Sequence, residues 1–295
     1  MTVTEDPFVA HRGLLFTVAY EMLGSAAEAE DVVQETWIRW DAIGAEARAE
    51  VRDPRAFLVR MITRKALDQL RANARRREQY VGEWLPEPLL TAPDVAEDVE
   101  LAESVSFAML TVLETLTPTE RAVFVLREVF DTPYDEIAEA VGKSASAVRQ
   151  VAHRAREHVA ARRPRMEVSR TEQRAVVERF VAAVTDGDLQ GLLDVLAPDV
   201  VLVADGGGVV QAVVNPVIGA KKVANLLRPF NRLAPDAEML PVLLNGALGV
   251  RIVGTVDGAD TAISFVVEGG RISRIYAIRN PAKLGRINAA ATLSR

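Results

Sequence analysis

The side chains able to do chemistry in this 295-residue sequence bear charge or exchange hydrogen bonds, and they fall into three groups. Ser146, Arg149, Gln150, His153 and Arg154 share one arc of a helix that begins near Ala145, while Val148, Val151, Ala152, Ala155 and Val159 share the opposite arc. A guanidinium can fork onto guanine and an amide onto adenine, so such a face fits a DNA major groove. Arg60, Arg64, Arg71 and Arg75 recur at helical spacing in a narrow basic ridge that Arg76 and Arg77 extend, and its chemistry is contact with the phosphates of a polyanion. Asp31, Gln34, Glu35 and Ile38 make the third group, on the arc opposite the apolar Ala29, Val32, Val33, Trp37 and Trp40. No cysteine occurs, which excludes disulfides, thiolate metal sites and cysteine nucleophiles and suits a reducing compartment.

The elements that must position these groups can be placed from spacing. Tyr134 to Val141 reads as a short helix, Gly142-Lys143-Ser144 as a turn, and Ser144 as the cap of the helix carrying Arg149. Small Ala138, Gly142 and returning Val148 give this pair helix-turn-helix spacing. An ordinary helical hairpin with a solvated face has the same periodicity. The basic run beyond it, Arg156, Arg162, Arg163 and Arg165, favours an edge that contacts phosphate. Upstream, Phe8 to Met22 is helical and stops at Gly24. Ser25 and Glu28 form a predicted capping box that opens the helix of the acidic face, running to about Trp40. Asp53-Pro54 starts the helix of the arginine ridge. Residues 81 to 103 lose periodicity, carry prolines and acids, and read as a linker. Helix resumes from about Leu101 to Leu116 and again from Thr117-Pro118 to the loop at Asp131.

After Arg165 the pattern changes. Helices at about Thr171 to Thr185 and Asp188 to Leu196 precede strands at Val200–Val203, Val209–Val214, Leu240–Leu244, Leu248–Val253, Ala262–Val267 and Ile272–Ile278, with a further helix from Lys221 to Leu233. This order predicts an α+β cone, a curved sheet wrapped around helices, with an apolar pocket at its open end. The net charge of −6 is carried by residues 1 to 165, where the bases are clustered; that arrangement suits phosphate contact and suggests a basic protein partner as well. The acidic start has no apolar run, and the longest uncharged stretch, Gly206 to Ala220, is broken by glycines, Asn215 and Pro216. The expectation is a cytoplasmic protein without signal peptide, membrane contact, metal or cofactor.

These segments resemble a family. Residues 7 to 77, with AEDVVQETWIRW and DPRAFLVRMITRKALDQLRANARRR, are similar to region 2 of an extracytoplasmic-function sigma factor. Residues 117 to 160, from TPTERAVFVLREVF through YDEIAEAVGKSASAVRQVAHRAREHVA, are similar to region 4. The part after Met166 resembles the SnoaL-like, nuclear-transport-factor-like (NTF2-like) cone fused to one sigma subgroup, the sigma-J type. Trp84-Leu85-Pro86-Glu87-Pro88, Asp205-Gly206-Gly207-Gly208 and Asn280-Pro281-Ala282-Lys283-Leu284 resemble the three signatures of that subgroup. Val209 stands where the pattern has lysine, and Ala282 where it has aspartate.

The resemblance implies a multidomain chain: region 2 over 1–80, an acidic linker over 81–103, region 4 over 104–165 and the cone over 166–295. It implies core RNA polymerase and promoter DNA as partners. Asp31, Gln34, Glu35 and Ile38 would then meet basic residues on the polymerase clamp helices, the arginine ridge would hold the opening strand, and Ser146, Arg149, Gln150, His153 and Arg154 would read the upstream element. The cone would stand in for a separate anti-sigma protein. It would dock through Asp205, Gly206, Gly207, Gly208, Asn280, Pro281, Lys283 and Leu284 near Trp84 and Pro86, with the linker leaving the two sigma regions free to change their spacing. A small-molecule ligand in the cone fits the same picture. Two alternatives are weaker. Catalysis in the cone would have only Asp199 and Asp205 as bases, since His11, His153 and His158 all precede it, and a ligand-sensing one-component regulator would have no use for the Asp31 face or the ridge.

Overall fold

Helix starts and stops are written locally in the first half. The computed structural model describes residues 6–77, 79–93, 95, 98–162, 169–255 and 257–294, apart from the side chains at 75–77 and 99. Helix α1 (Pro7–Leu23) ends on left-handed Gly24, whose N–H donates to Tyr20 O at 2.7 Å. Helix α2 (Ala26–Ala42) is capped by Ser25 Oγ, which accepts from Glu28 N at 3.3 Å. The predicted capping box forms only by half, because the Glu28 carboxylate instead accepts from Asn73 Nδ2 at 2.6 Å. Short α3 (Ala45–Ala49) leads to α4 (Pro54–Arg77), which carries the ridge.

The helix expected over 101 to 116 breaks at Ser106, which caps the second piece, giving α5 (Val99–Ser104) and α6 (Phe107–Leu113). Helix α7 (Pro118–Phe124) starts with a complete capping box, Thr117 with Glu120, and ends in a π-helical turn over Val125–Val129. Then come α8 (Tyr134–Val141), left-handed Gly142, and α9 (Ala145–Ala160) capped by Ser144.

Leu15, Leu23, Val33, Trp40, Leu58 and Ile62 from α1 to α4 pack into the same buried cluster as Leu110, Leu113, Leu126, Ile137 and Val148 from α6 to α9. The two sigma-like units therefore share one continuous core. Trp37, placed with the apolar arc from its spacing, is partly exposed and tilts against Phe8 at 5.0 Å; buried Thr36, whose hydroxyl bonds back to Val32 O, takes the inward position.

The second half opens with α10 (Arg170–Asp186) and α11 (Leu189–Val195), followed by β1 (Leu196–Asp205), β2 (Val217–Ile218), α12 (Ala220–Leu227), α13 (Phe230–Leu233), β3 (Glu238–Leu244), β4 (Ala247–Val253), β5 (Thr261–Glu268), β6 (Arg271–Ile278) and α14 (Pro281–Leu284). The strand order is β2-β1-β6-β5-β4-β3, antiparallel except for the β1–β6 pair. Alternation along β5 sends Ile263, Phe265 and Val267 to the helices, where Phe265 meets Phe180 at 5.1 Å. It sends Ala262 and Val266 to the other face, against Leu85, Phe107 and Leu284. That second covered face is why β5 is apolar almost throughout.

Two expectations fail here. Val209–Val214 is not a strand, because Gly206 O accepts from both Val209 N and Val210 N in a turn and Asn215-Pro216 follows at once; β2 comes after it. The helix over 221 to 233 is divided at Pro229, which begins α13.

The linker is not free either. Leu85 to Leu89 are buried, Glu87 N donates to Gly24 O at 2.8 Å, Tyr20 Oη to Glu87 O at 2.8 Å, and Thr91 N to Leu243 O at 2.9 Å. The β3–β4 hairpin turns at Asn245-Gly246, both at positive φ, and its tip sits in this interface. Asn245 is wholly buried. Its Nδ2 donates to Tyr20 Oη at 2.7 Å and Val105 O at 2.9 Å, and its Oδ1 accepts from Leu89 N at 3.0 Å. The substitution Asn245→Gly keeps the left-handed turn and deletes the buried bonds, so urea unfolding should show a loss of about 1–3 kcal/mol. An unchanged midpoint would mean that the hairpin tip is not seated between α1 and the linker.

Candidate functional site

On α2 the structure places Asp31, Gln34, Glu35 and Ile38 together in solvent, with Ile38 58% exposed. Lys65 from α4 reaches Glu35 at 2.5 Å, a half-exposed pair of little net strength that a competing guanidinium can replace. The buried end of this helix is anchored from elsewhere in the chain. Glu87 brings its carboxylate to the N-terminus of α2, where Oε2 accepts from Ser25 Oγ at 3.0 Å and Ala27 N at 3.2 Å. Burial raises the Glu87 pKa, against the lowering effect of these amide and hydroxyl donors.

The ridge on α4 divides in two. Arg60 lies 3.1 Å from the Glu139 carboxylate of α8, and Arg64 donates to the Glu139 carbonyl at 2.8 Å, so the helix-turn-helix rests on this half. Arg71 points to solvent beside Asp68 at 3.3 Å, and the side chain of Arg75 lies outside the described residues. Ser146, Arg149, Gln150, His153 and Arg154 are all exposed on α9; His153 faces Glu157 at 3.6 Å and Ser146 meets Ser144 at 3.1 Å. The arc read from spacing is a real surface. Glu139 carries no periodic signal that links it to α4, and sequence reasoning missed it.

The two sigma-like units are also locked through a buried charge. Arg121 of α7 donates from Nε to Glu21 O at 2.9 Å and pairs with the Glu114 carboxylate, while Ser104 Oγ donates to Glu21 Oε1 at 2.8 Å. Burial pushes the Arg121 guanidinium down to about 9, which leaves it charged at neutral pH. Gly24 stands against this group: a Cβ there would lie 2.8 Å from Glu114 Oε1 and 3.1 Å from Trp84 Cη2, and its φ of 67° is left-handed as well.

The densest polar site joins the linker to the sheet domain. Asp205, 1% exposed at the end of β1, accepts from Tyr80 Oη at 2.6 Å and Gly207 N at 3.0 Å on Oδ1, and from Leu85 N at 2.9 Å and Lys283 Nζ at 2.7 Å on Oδ2. Lys283 also donates to Leu85 O and lies over Trp84 at 3.9 Å and Tyr80 at 5.0 Å. Asn280 caps α14 through Ala282 N at 3.1 Å and donates to Tyr80 Oη at 2.7 Å; Pro281 is the first helical residue and Leu284 is buried against Leu85. Gly207 is pressed so close to Asn280 that a Cβ would sit 2.4 Å from its amide nitrogen.

Pro86 is buried, and Gly206 accepts the turn that Gly208 continues toward Val81. Val209, 75% exposed, and exposed Ala282 take part through their backbone N–H groups and not through their side chains. Tyr80 lies outside the three quoted motifs, and its hydroxyl pKa is raised by burial and by the Asp205 carboxylate.

The segment after Leu284, which lies outside the three motifs, contributes to the interface as well. Ala291 N donates to Leu90 O at 2.8 Å, Ser294 N to Thr17 Oγ1 at 3.1 Å, and Leu293 is buried in the core of the helical half. Among the described residues no helix is long and apolar enough to cross a membrane, and no cluster of acids and histidines could hold a metal.

Comparison with known proteins places this geometry. Residues 8–76 match the family described as Sigma-70 region 2, and residues 106–159 the one described as Sigma-70, region 4. The chain is 40% identical to the ECF RNA polymerase sigma factor SigJ of Mycobacterium tuberculosis, over 96% of this chain and 93% of that protein. It is 33% identical to the probable ECF RNA polymerase sigma factor SigI of the same organism, over 95% and 94% respectively. The crystal structure of M. tuberculosis SigJ matches with a TM-score of 0.75 at 36% identity, covering 94% of this chain and 96% of that one.

Two substitutions separate the buried carboxylates by sign. Asp205→Asn leaves Lys283 and Leu85 N facing a lost acceptor and should cost about 3–5 kcal/mol in urea unfolding followed by tryptophan fluorescence. A carboxyl with a raised folded-state pKa, such as Glu87, favours the fold most below the ordinary carboxylate range, and that contribution is lost as pH rises through its raised pKa. The melting temperature of Glu87→Gln should therefore fall less than that of the unmodified protein between pH 5 and pH 7, by about 1 °C per ~0.5 kcal/mol removed. Parallel curves would place Glu87 in water.

Proposed function

Because the chain belongs to the family of extracytoplasmic-function RNA polymerase sigma factors, we propose that its sheet domain sets how readily the sigma regions reach their partners. As a sigma factor it directs transcription initiation, and core RNA polymerase and promoter DNA are its partners. In the finer reading, Asp31, Gln34, Glu35 and Ile38 on α2 meet basic residues of the polymerase clamp through charge-assisted hydrogen bonds. Arg60, Arg64, Arg71 and Arg75 follow the phosphates of the opening strand, and the exposed face of α9 reads the upstream element.

The observation that carries the regulatory reading is Glu139, whose carboxylate pairs with Arg60 and whose backbone carbonyl accepts from Arg64, oxygens where a phosphate would otherwise sit. Those arginines reach DNA only when α8 lifts from α4. The Asp205–Lys283 dock holds the linker and the 286–294 strap holds α1, which packs on α4, so the sheet domain acts on that contact through α1 and α4 as a tethered regulator at roughly millimolar effective concentration, without a separate anti-sigma protein.

A catalytic role for the sheet domain is disfavoured by the saturation of Asp205 with four donors and by the exposure of Asp199. A small-molecule ligand could enter an open cleft on this domain with Leu193, Leu196 and Pro198 on its walls and Lys221, Lys222 and Arg271 at its rim, and binding there is part of the proposal.

Two experiments test this. Asp31→Ala with Glu35→Ala should weaken core polymerase binding by about 1.5–3 kcal/mol per lost contact with the fold intact; unchanged affinity in a titration would remove α2 from the interface. Transcription from a cognate promoter should then differ among the full chain, a chain ending at Leu284 that loses only the strap, and a chain ending before Met166 that loses the dock too. Three equal activities would sink the regulatory reading and leave the family assignment untouched.

A further inference from the structure

An aromatic ring and three guanidinium groups cluster beside the helix read as facing DNA. Tyr134, the first residue of α8, packs its body against the helical core and has Arg127 Cζ 4.9 Å and Arg149 Cζ 5.5 Å from its ring centroid. Its hydroxyl receives Arg156 Nη2 at 3.4 Å. Three guanidinium groups, from the π-helical turn and two positions on α9, thus converge on one side chain.

They are not equally held. Arg127 is fixed from behind by the Thr132 carbonyl at 3.2 Å and the Asp131 carboxylate at 2.9 Å, and Arg156 by Glu128 at 3.5 Å and its own helix at Ala152 O, 3.4 Å. Arg149 has no carboxylate or carbonyl partner among the described residues, and the ring is its contact.

We infer that Tyr134 is the positioning residue for Arg149, holding the guanidinium in the rotamer that reads a base edge before DNA arrives. A planar guanidinium stacks well on an aromatic face, and the stacked group keeps its hydrogen-bonding edge free for a second partner. An unrestrained arginine must surrender its rotamer freedom when it binds, whereas one already stacked has surrendered part of it in the free protein. The buried neighbours of Tyr134 fix the ring, α8 and the capped turn fix α9 relative to it, and Arg149 inherits the direction. This rests on the reading of α9 as the base-contacting helix.

The test uses the full-length protein with core polymerase on promoters randomised across the upstream element. Arg149→Ala should lower discrimination at one or two base positions. Tyr134→Leu should lower it at the same positions by about 2- to 5-fold, the range of an exposed cation–π contact. Tyr134→Phe, which keeps the ring, should retain it, and the double variant Tyr134→Leu with Arg149→Ala should equal Arg149→Ala alone. If Tyr134→Leu leaves those positions unchanged, or its loss adds to that of Arg149→Ala, the positioning role is overturned while α9 keeps its reading. If Arg149→Ala moves no position, the reading of Arg149 fails and the positioning role goes with it. A measurement that needs no variant guards against misfolding: NMR relaxation of the Arg149 Nε–Hε group in the free protein should show it more rigid than that of Arg154, and equal mobility overturns the inference.

Discussion

A buried carboxylate cannot be left without donors, and Asp205 has recruited four from three separate segments. That requirement orders much else. It fixes Leu85 and Tyr80 and thereby the path of residues 80–91; that path carries Glu87 to the N-terminus of α2, and α2 presents the acidic face to solvent. A charge at the end of the first strand of the sheet domain is thus connected, through covalent chain and hydrogen bonds, to a surface in the other half of the molecule.

Magnitudes separate what is fixed from what can move. Removing one partner from a buried ion pair costs about 3–5 kcal/mol, whereas a solvent-exposed pair is worth about 0–1 kcal/mol. Asp205 with Lys283, and Arg121 with Glu114, belong to the first kind. Glu139 with Arg60 belongs to the second, since Glu139 is mostly exposed. A competing anion can therefore displace the Glu139 carboxylate from Arg60 while the buried interdomain contacts persist. The hydrophobic continuity between α1–α4 and α6–α9 opposes full separation of the sigma regions more strongly than Glu139 does.

What could be read from the sequence was what repeats locally. Helical periodicity found α2, α4 and α9 and put Asp31, Gln34, Glu35 and Arg149 on faces that are exposed, and capping chemistry found Ser25, Ser144 and Thr117. Long-range satisfaction was not legible. Ser25 and Glu28 look like a reciprocal cap, but only the Ser25 half forms: Glu28 has Asn73 within reach, and the linker brings Glu87 to accept from Ser25 Oγ and Ala27 N. Val209–Val214 is β-branched enough for a strand, yet the turn at Gly206 and the bend at Asn215 leave it no partner. Asn245-Gly246 went unread as a hairpin turn, and that the Asn245 amide also bridges Tyr20, Val105 and Leu89 depends on contacts 140 to 225 residues distant.

The bond from Ser294 N to Thr17 Oγ1 joins positions 277 residues apart. On a ribosome elongating at about 5–20 residues per second, α1 waits roughly 15–55 s for that partner and for Leu293. During synthesis the helical half therefore exists for a time with the groove beside Gly13 and Thr17 unfilled. The helices that flank that groove are thus complete before the segment that closes it has been made, and the surface they offer changes once when it arrives.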